Sequence, residues 1–335
     1  QHVKQFIHLW KASIQKEIDS LVDKEAIIRY EADKVRALLD NHPNAVVLPG
    51  KGVFTIKDPN TFKSRGVVCG NHITGKEVKK QDIYSGGVET TSLRCVLRVA
   101  VLKGWHAGAT DVSTAFLNAP LNLDYPIIVW APRVFAEAQV TEYDEAWLVK
   151  KALYGLRESP KAWGDYRDCV LAKVRIMSWL MPYRLRQLAS DTSVWVVESM
   201  PTDYLYPIFP VEVRTLIQSF IGPRVDGILI TYVDDVLVVS RPSLLVAVLS
   251  KIRTIWKCSA IESTHKGQRV TFCALRVTRT LEGGFFLDQT PYIKDVLERY
   301  GLQACKGTKV PMQPDEGVTT APTTDATNSP AALAQ

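Results

Sequence analysis

Two adjacent acids, Asp234 and Asp235, interrupt an otherwise apolar stretch, residues 227–239, that reads GILITYVDDVLVV. Both flanks are rich in Ile, Leu, Val and Thr and read as strands. Burying an unpaired carboxylate costs roughly several kcal/mol, so a purely structural strand would not place two there. Asp favours tight turns, and two strands joined by a turn at the acids fits the pattern. Such a hairpin lifts hard oxygen donors to its tip, where they would suit Mg²⁺. Taken alone, the stretch reads equally as a hairpin with a solvated acidic turn. A third acid shifts the balance. Asp111 ends another strand-like run, where it is either a helix cap or the partner of the acid pair.

A second set of chemically apt residues lies in 51–70, KGVFTIKDPNTFKSRGVVCG. Lys51, Lys57, Lys63 and Arg65 give it one sign of charge. Composition favours a lysine-protected edge hairpin; the functional alternative is cations reaching a polyphosphate. The whole chain of 335 residues has net charge +6 and 46% hydrophobic content, enough for one large or two ordinary folded units. The basic excess permits a polyanionic partner without specifying one. The six cysteines are scattered with no CxxC, and the six histidines form no HxxxH pair. A zinc site or disulfide framework is therefore not expected, and a reducing intracellular setting is the default. No apolar run reaches membrane-spanning length and no signal peptide opens the chain, so no membrane partner is expected. A chain that starts at Gln1 reads as a piece of something longer.

The elements that must position these residues follow from periodicity. Val3, Phe6, Ile7, Trp10, Ile14, Ile18, Leu21 and Val22 predict an amphipathic helix over 3–22. A charged stretch and breaks at Pro43 and Pro49-Gly50 follow. Strands are expected at 52–56 and 65–69 around an Asp58-Pro59-Asn60 turn, and a buried helix at 91–103 ending at Gly104. A strand ending at Thr110-Asp111 runs into a turn or short helix with Ser113, Ala115, Phe116 and Leu117. Short strands near 127–129 and 147–149, a turn at Gly155 and a helix from Ser159 to about 174 come next. Beyond a strand at 190–198, residues 199–226 read as a loop-like insertion. Residues 243–257 are amphipathic. Two strands near 269–279 and 284–288 and a helix at 291–300 precede a Pro/Thr/Ala-rich tail, expected to be disordered. This divides the chain into an N-terminal helix and linker (1–50), a main body (51–310) and the tail (311–335).

Four segments, in this order, resemble the reverse transcriptase of copia-type LTR retrotransposons. They are FKSRGVVCGN (62–71), TDVSTAFLNAPL (110–121), KKALYGLRESPKAW (150–163) and TYVDDVLVV (231–239). The later stretch GGFFLDQTPYIKDVLERYGL (283–302) also resembles the family, and the likeness covers roughly residues 5–312. It implies an α+β right-hand polymerase: fingers, a palm with an antiparallel sheet backed by helices, and a partial thumb. The implied activity is RNA-directed DNA synthesis, with two Mg²⁺ ions (Mn²⁺ in their place) at the site. By the resemblance, Asp111, Asp234 and Asp235 are catalytic and hold the metals, Asp235 less directly, with the Val112 carbonyl as a further ligand. Lys63 and Arg65 would meet the triphosphate of a deoxynucleoside triphosphate. Tyr154 and Gly155 would line its pocket, and Phe116 would exclude a 2′-hydroxyl. Tyr232 would pack near the primer end, and Arg157 and Lys161 would meet template–primer phosphates, or form a solvated helix face. The ribonuclease H and integrase of a Pol polyprotein are expected outside these residues.

Three places depart from the family pattern: Tyr-Ser-Gly-Gly-Val at 84–88, Ala274 where the family has Gly, and the long 199–226 stretch. They keep open a catalytically silent remnant that folds and at most binds nucleic acid. A metal-dependent nuclease using the same acids is a third alternative.

Overall fold

The structure, a computed structural model, describes residues 2–56, 61–73, 87–178, 181–200 and 224–307. The Asp58-Pro59-Asn60 turn with Lys57, the start of the 84–88 departure, most of the 199–226 stretch and the tail from 311 lie outside the described residues. The chain divides into two units, residues 1–289 and 290–335.

The first unit begins with a short helical turn (His2–Gln5) and helix α1 (Ile7–Asp23). Helical spacing puts Trp10, Ile14, Ile18 and Leu21 on one side of α1, and all four are buried. Each contributes about 1.5–3 kcal/mol by leaving water. They pack on a five-stranded sheet built from β1 (Ile27–Tyr30), β2 (Val46–Ile56), β3 (Phe62–Val68), β5 (Ile127–Trp130) and β6 (Ala146–Val149), in the order β1-β6-β5-β2-β3. Only the β2–β5 pairing is parallel. Helix α2 (Ala32–Asn41) buries Val35 and Leu38 in a separate cluster with Ile128, Ala146 and Leu148 of this sheet. The stretch expected to be a charged linker is therefore ordered: β1 pairs with β6, and the boundary drawn at residue 50 falls inside β2. Four-residue β1 was too short to show a period.

The second sheet has seven strands, all antiparallel to their neighbours, in the order β12-β4-β11-β10-β9-β8-β7. They are β4 (His106–Asp111), β7 (Arg175–Ser178), β8 (Met181–Gln187), β9 (Val194–Ser199), β10 (Val225–Tyr232), β11 (Asp235–Ser240) and β12 (Glu262–Ser263). Helix α5 (Ser159–Lys173) and helix α6 (Pro242–Ile255) contribute Trp163, Leu171, Leu245 and Ile252 to the core with Val236, Val238 and Leu229. On the opposite side, helix α3 (Thr90–Leu102) joins Leu237, Val239, Ile228 and Ile230 in another core. Both faces of the central strands are covered, which is why 227–239 reads as an almost continuous apolar run rather than an alternating one. Helix α4 (Arg133–Glu137) lies between β5 and β6 in sequence.

A three-stranded sheet of β13 (Val270–Phe272), β14 (Leu275–Arg279) and β15 (Phe285–Asp288) completes this unit. The single strand expected over 269–279 is thus two strands. The chain reverses at Cys273 and Ala274, whose φ values of +51° and +59° are those of a primed two-residue turn. Such turns normally carry Asn-Gly, and neither residue is present to signal it. In the second unit, helix α7 (Thr290–Arg299) has no buried residue and carries an Asp295–Arg299 ion pair one turn apart.

Candidate active site

The acid pair sits where β10 turns into β11. Tyr232 and Asp235 close the hairpin, leaving Val233 and Asp234 as its two-residue tip. Val233 has φ +49°, a conformation uncommon for a β-branched residue and costly by about 1–3 kcal/mol. The surroundings hold it there: Trp163 Nε1 donates to the Val233 carbonyl at 2.6 Å, and Arg167 donates to the same oxygen at 3.4 Å. Trp163 is the last residue of the KKALYGLRESPKAW segment, so that segment's first role in this structure is to brace the acidic tip.

Asp111 ends β4 directly opposite Asp235 on β11. Backbone bonds lock the strand end in place. Val112 N–H donates to the Asp234 carbonyl at 2.8 Å, and Ser259 N–H donates to the Asp111 carbonyl at 2.9 Å. Ser259 Oγ accepts from Asp111 N–H at 2.9 Å, and Thr110 Oγ1 donates to the Ser259 carbonyl at 3.0 Å. Val112 is bridged to Cys258 on its other side, so its own N–H and C=O both face the Asp234 tip. Asp235 Oδ2 accepts from Cys273 N–H at 3.1 Å, which turns that carboxylate toward the β13–β14 reversal. Burial pushes the Asp235 carboxyl up to about 6; the Cys273 N–H opposes this, and the charges of Asp234 and Asp111 add to it. The neighbouring thiols are pushed up too, mainly by burial: Cys273 to about 12 and Cys258 to about 11, so both stay protonated.

The expected nucleotide-contacting residues gather beside these acids. The Arg65 guanidinium lies 4.7 Å from the centre of the Tyr154 ring, and the Phe116 ring meets Tyr154 edge-on at 5.4 Å. The Tyr154 hydroxyl is pushed up by burial and pulled back by Arg65, and it feels the charges of Glu17, Asp234 and Asp111. Phe116 rides on a single turn of 3₁₀ helix, Ala115–Asn118, entered through Thr114 at φ +51°. Gly155 has φ +92°, and a Cβ there would lie 2.0 Å from the Val68 carbonyl; Val68 N–H donates to the Tyr154 carbonyl at 2.8 Å. Only glycine lets the 154–155 loop close on β3. Glu17 of α1 is buried beneath β3 and accepts from Gly66 N–H at 3.1 Å. Burial raises its carboxyl, while the Gly66 N–H and the charges of Arg65 and Lys63 lower it.

The remaining expected residues are placed less tightly. Tyr232 is 41% exposed, with its ring against Gly87, where a Cβ would come within 2.5 Å of it. Arg157 is exposed on the loop before α5. Lys161 is paired with Asp165 at 2.7 Å along the same helix, as a solvated helix face would have it. Sequence reasoning missed Ser259, Cys273, Arg167 and Glu17, which act by bracing backbone. A lone small or charged residue carries no motif for that role.

Among the described residues, no three His, Cys, Asp or Glu side chains gather closely enough to cage a cation by themselves. Mg²⁺ does not need such a cage. It keeps much of its water and binds through one or two carboxylates together with substrate phosphates. The hard-oxygen donors here, Asp111, Asp234 and the inward-facing side of Val112, fit an ion of that kind.

Residues 33–179, which include Asp111 and the Arg65–Tyr154–Phe116 cluster, match the family described as reverse transcriptase (RNA-dependent DNA polymerase). The retrovirus-related Pol polyprotein from transposon RE1 of Arabidopsis thaliana is 27% identical over 297 residues, covering 84% of this chain. That from transposon RE2 of the same plant is 24% identical over 295 residues and 83% of the chain. The chain is similar to these Pol polyproteins and, over residues 33–179, to the reverse transcriptase family. The polyprotein from transposon TNT 1-94 of Nicotiana tabacum, 24% identical over 310 residues and 89% of the chain, agrees. The chain spans 17–20% of the length of these polyproteins. Among its described residues, no helix is long and apolar enough to cross a membrane.

Proposed function

We propose that this chain is the RNA-directed DNA polymerase part of a copia-type Pol polyprotein. In that reading the five-stranded sheet with α1 is the fingers, the seven-stranded sheet is the palm, and the segment from β13 onward begins the thumb. The observation that carries the proposal is the direct register of Asp111 with Asp235, with Asp234 one residue away at the hairpin tip. Beside them stand an arginine and two rings that meet edge-on.

The residues divide the work by their chemistry. Arg65 and Lys63, on one face of β3, neutralise the β- and γ-phosphates of an incoming deoxynucleoside triphosphate, Arg65 through its planar fork. The Tyr154 ring holds the Arg65 guanidinium flat by cation–π contact. Phe116, edge-on to Tyr154, fills the space a ribose 2′-hydroxyl would need. Tyr232, exposed at the tip, supports the primer end. Asp111 and Asp234 hold divalent cations, which when bound would stabilise the charge that develops on the attacking and leaving oxygens. Asp235, tied to Cys273, keeps the two strand ends in register. Template–primer and the other Pol activities, ribonuclease H and integrase, are its partners.

Primer extension on an RNA template tests this directly. A labelled primer should lengthen only when deoxynucleoside triphosphates and Mg²⁺ or Mn²⁺ are supplied. Shortening without triphosphates would point to a nuclease instead. One feature favours the silent remnant as a second reading: Ala274 sits at φ +59° where the family has Gly, straining the reversal that holds Asp235. A well-folded preparation that binds template–primer and incorporates nothing would establish that reading.

A further inference from the structure

Strand register continues the acids' face across the seven-stranded sheet, with α3 covering its middle at Ile228 and Ile230 and its far end uncovered. Asp235 pairs with Tyr232 and Asp111, so all three share one face of the seven-stranded sheet. Ile228 lies on that face of β10 and pairs with Val196 of β9, which pairs with Arg186 of β8. Arg184 lies two residues earlier on β8, between Glu198 of β9 and Arg175 of β7. Arg175, Arg184 and Arg186 therefore face the same way as the catalytic acids.

This end of the face is open and positive. The Arg184 and Arg186 side chains are 42% and 49% exposed, and Arg175 is exposed. Glu198 is the only acid in β7, β8 and β9, and it is shared: Arg184 reaches it at 2.8 Å and Arg186 at 3.5 Å. Arg175 Nη1 donates to the carbonyls of Ala172 and Val174. Like charges directly opposite across a strand pair are unfavourable, and Arg175 faces Arg184 in that way. An anion above the face would relieve the repulsion.

We propose that Arg175, Arg184 and Arg186 form a track for the sugar-phosphate backbone of the bound nucleic acid, a contact resting on the polymerase reading above. From Asp235 to Arg186 is three strand spacings across and four residues along, roughly 20 Å. That span is about six base pairs of duplex at 3.4 Å per pair. A nucleic acid held at the acids would reach the track only if it extends that far.

The test is binding of labelled hairpin primer–templates with short (about 4 base pairs) and long (about 14 base pairs) stems, and of a single strand, between 50 and 200 mM salt. The chain is compared with Arg184→Gln/Arg186→Gln, with Glu198→Gln, and with Arg36→Gln on α2 as an off-track control. The track predicts that the double variant binds the long stem with a salt slope shallower by about 1 to 2, losing up to tenfold in affinity at low salt. The short stem and the control should be unaffected. Glu198→Gln frees both arginines and should bind tighter with a steeper slope, which an unfolded variant could not do. Loss confined to the single strand would support the same contact on the template rather than the duplex. Unchanged slopes for both variants on every nucleic acid would overturn the track and leave the arginines as protection of the sheet edge. Extension by the unaltered chain, measured in parallel, shows separately whether the polymerase reading stands.

Discussion

Asp111 and Asp235 stand directly opposite each other on adjacent antiparallel strands, two like charges in a position that sheets ordinarily avoid. Burial raises the Asp235 carboxyl to about 6, and the charges of Asp234 and Asp111 add to that rise. A strand pair built only for stability would carry a hydrophobic or oppositely charged pair there. Under the proposed function this pair serves divalent cations, and hydrogen bonds with Ser259, Cys273 and Trp163 fix the strand ends that carry it.

Phe116 should act as the gate against ribonucleotides. Phe116→Val is expected to improve incorporation of ribonucleoside relative to deoxynucleoside triphosphates by roughly tenfold or more, the scale of a change in pocket size. The ratio of kcat/KM for the two substrates measures it. A ratio equal to that of the unaltered chain would make Phe116 a packing residue.

Arg65 contributes a ring contact and a planar fork, and lysine lacks the fork. In Arg65→Lys, KM for the deoxynucleoside triphosphate should rise roughly tenfold, about 1.4 kcal/mol, with a smaller change in kcat. An unaltered KM would remove the triphosphate role.

Gly155 has both a positive φ and a neighbouring carbonyl in the way of any side chain. Gly155→Ala should destabilise the chain by more than about 1 kcal/mol. The measure is thermal unfolding, where a fall in Tm of more than roughly 2 °C is expected. A Tm equal to that of the unaltered chain would show that the loop does not close on β3 as described.

Glu17 gives a pH signature. Its carboxyl is raised in the folded chain, so folding favours its protonated form. The stability this brings is fully present below the ordinary glutamate pKa and is lost as pH rises through the raised value. Glu17→Gln should therefore be more stable than the unaltered chain at neutral pH, and the advantage should vanish toward pH 4. Denaturant unfolding at several pH values reads it, and a pH-independent difference would contradict the assignment.

The sequence disclosed the parts of this molecule that repeat a period or carry charge against a hydrophobic background. The acids at 234–235 stood out because strands flank them, and Asp111 because it ends one. The α1 and α6 stripes and the turn at Gly155 were visible for similar reasons. Other parts were hidden for physical causes. β1 and β12 are too short to show alternation. The reversal at Cys273-Ala274 uses residues that avoid positive φ, so its turn chemistry is absent from the sequence. Arg65 meeting Tyr154 is a contact across the fold, and only the pairing of β3 with the 154–155 loop creates it. Without the family resemblance, Lys63 and Arg65 read as edge protection.

The most direct measurement is single-nucleotide primer extension on an RNA template by the unaltered chain and by Asp234→Asn, with thermal unfolding of both. The account predicts incorporation by the unaltered chain, a loss of at least 10²–10³-fold in the variant, and closely similar Tm values. Extension by Asp234→Asn at the rate of the unaltered chain would contradict it.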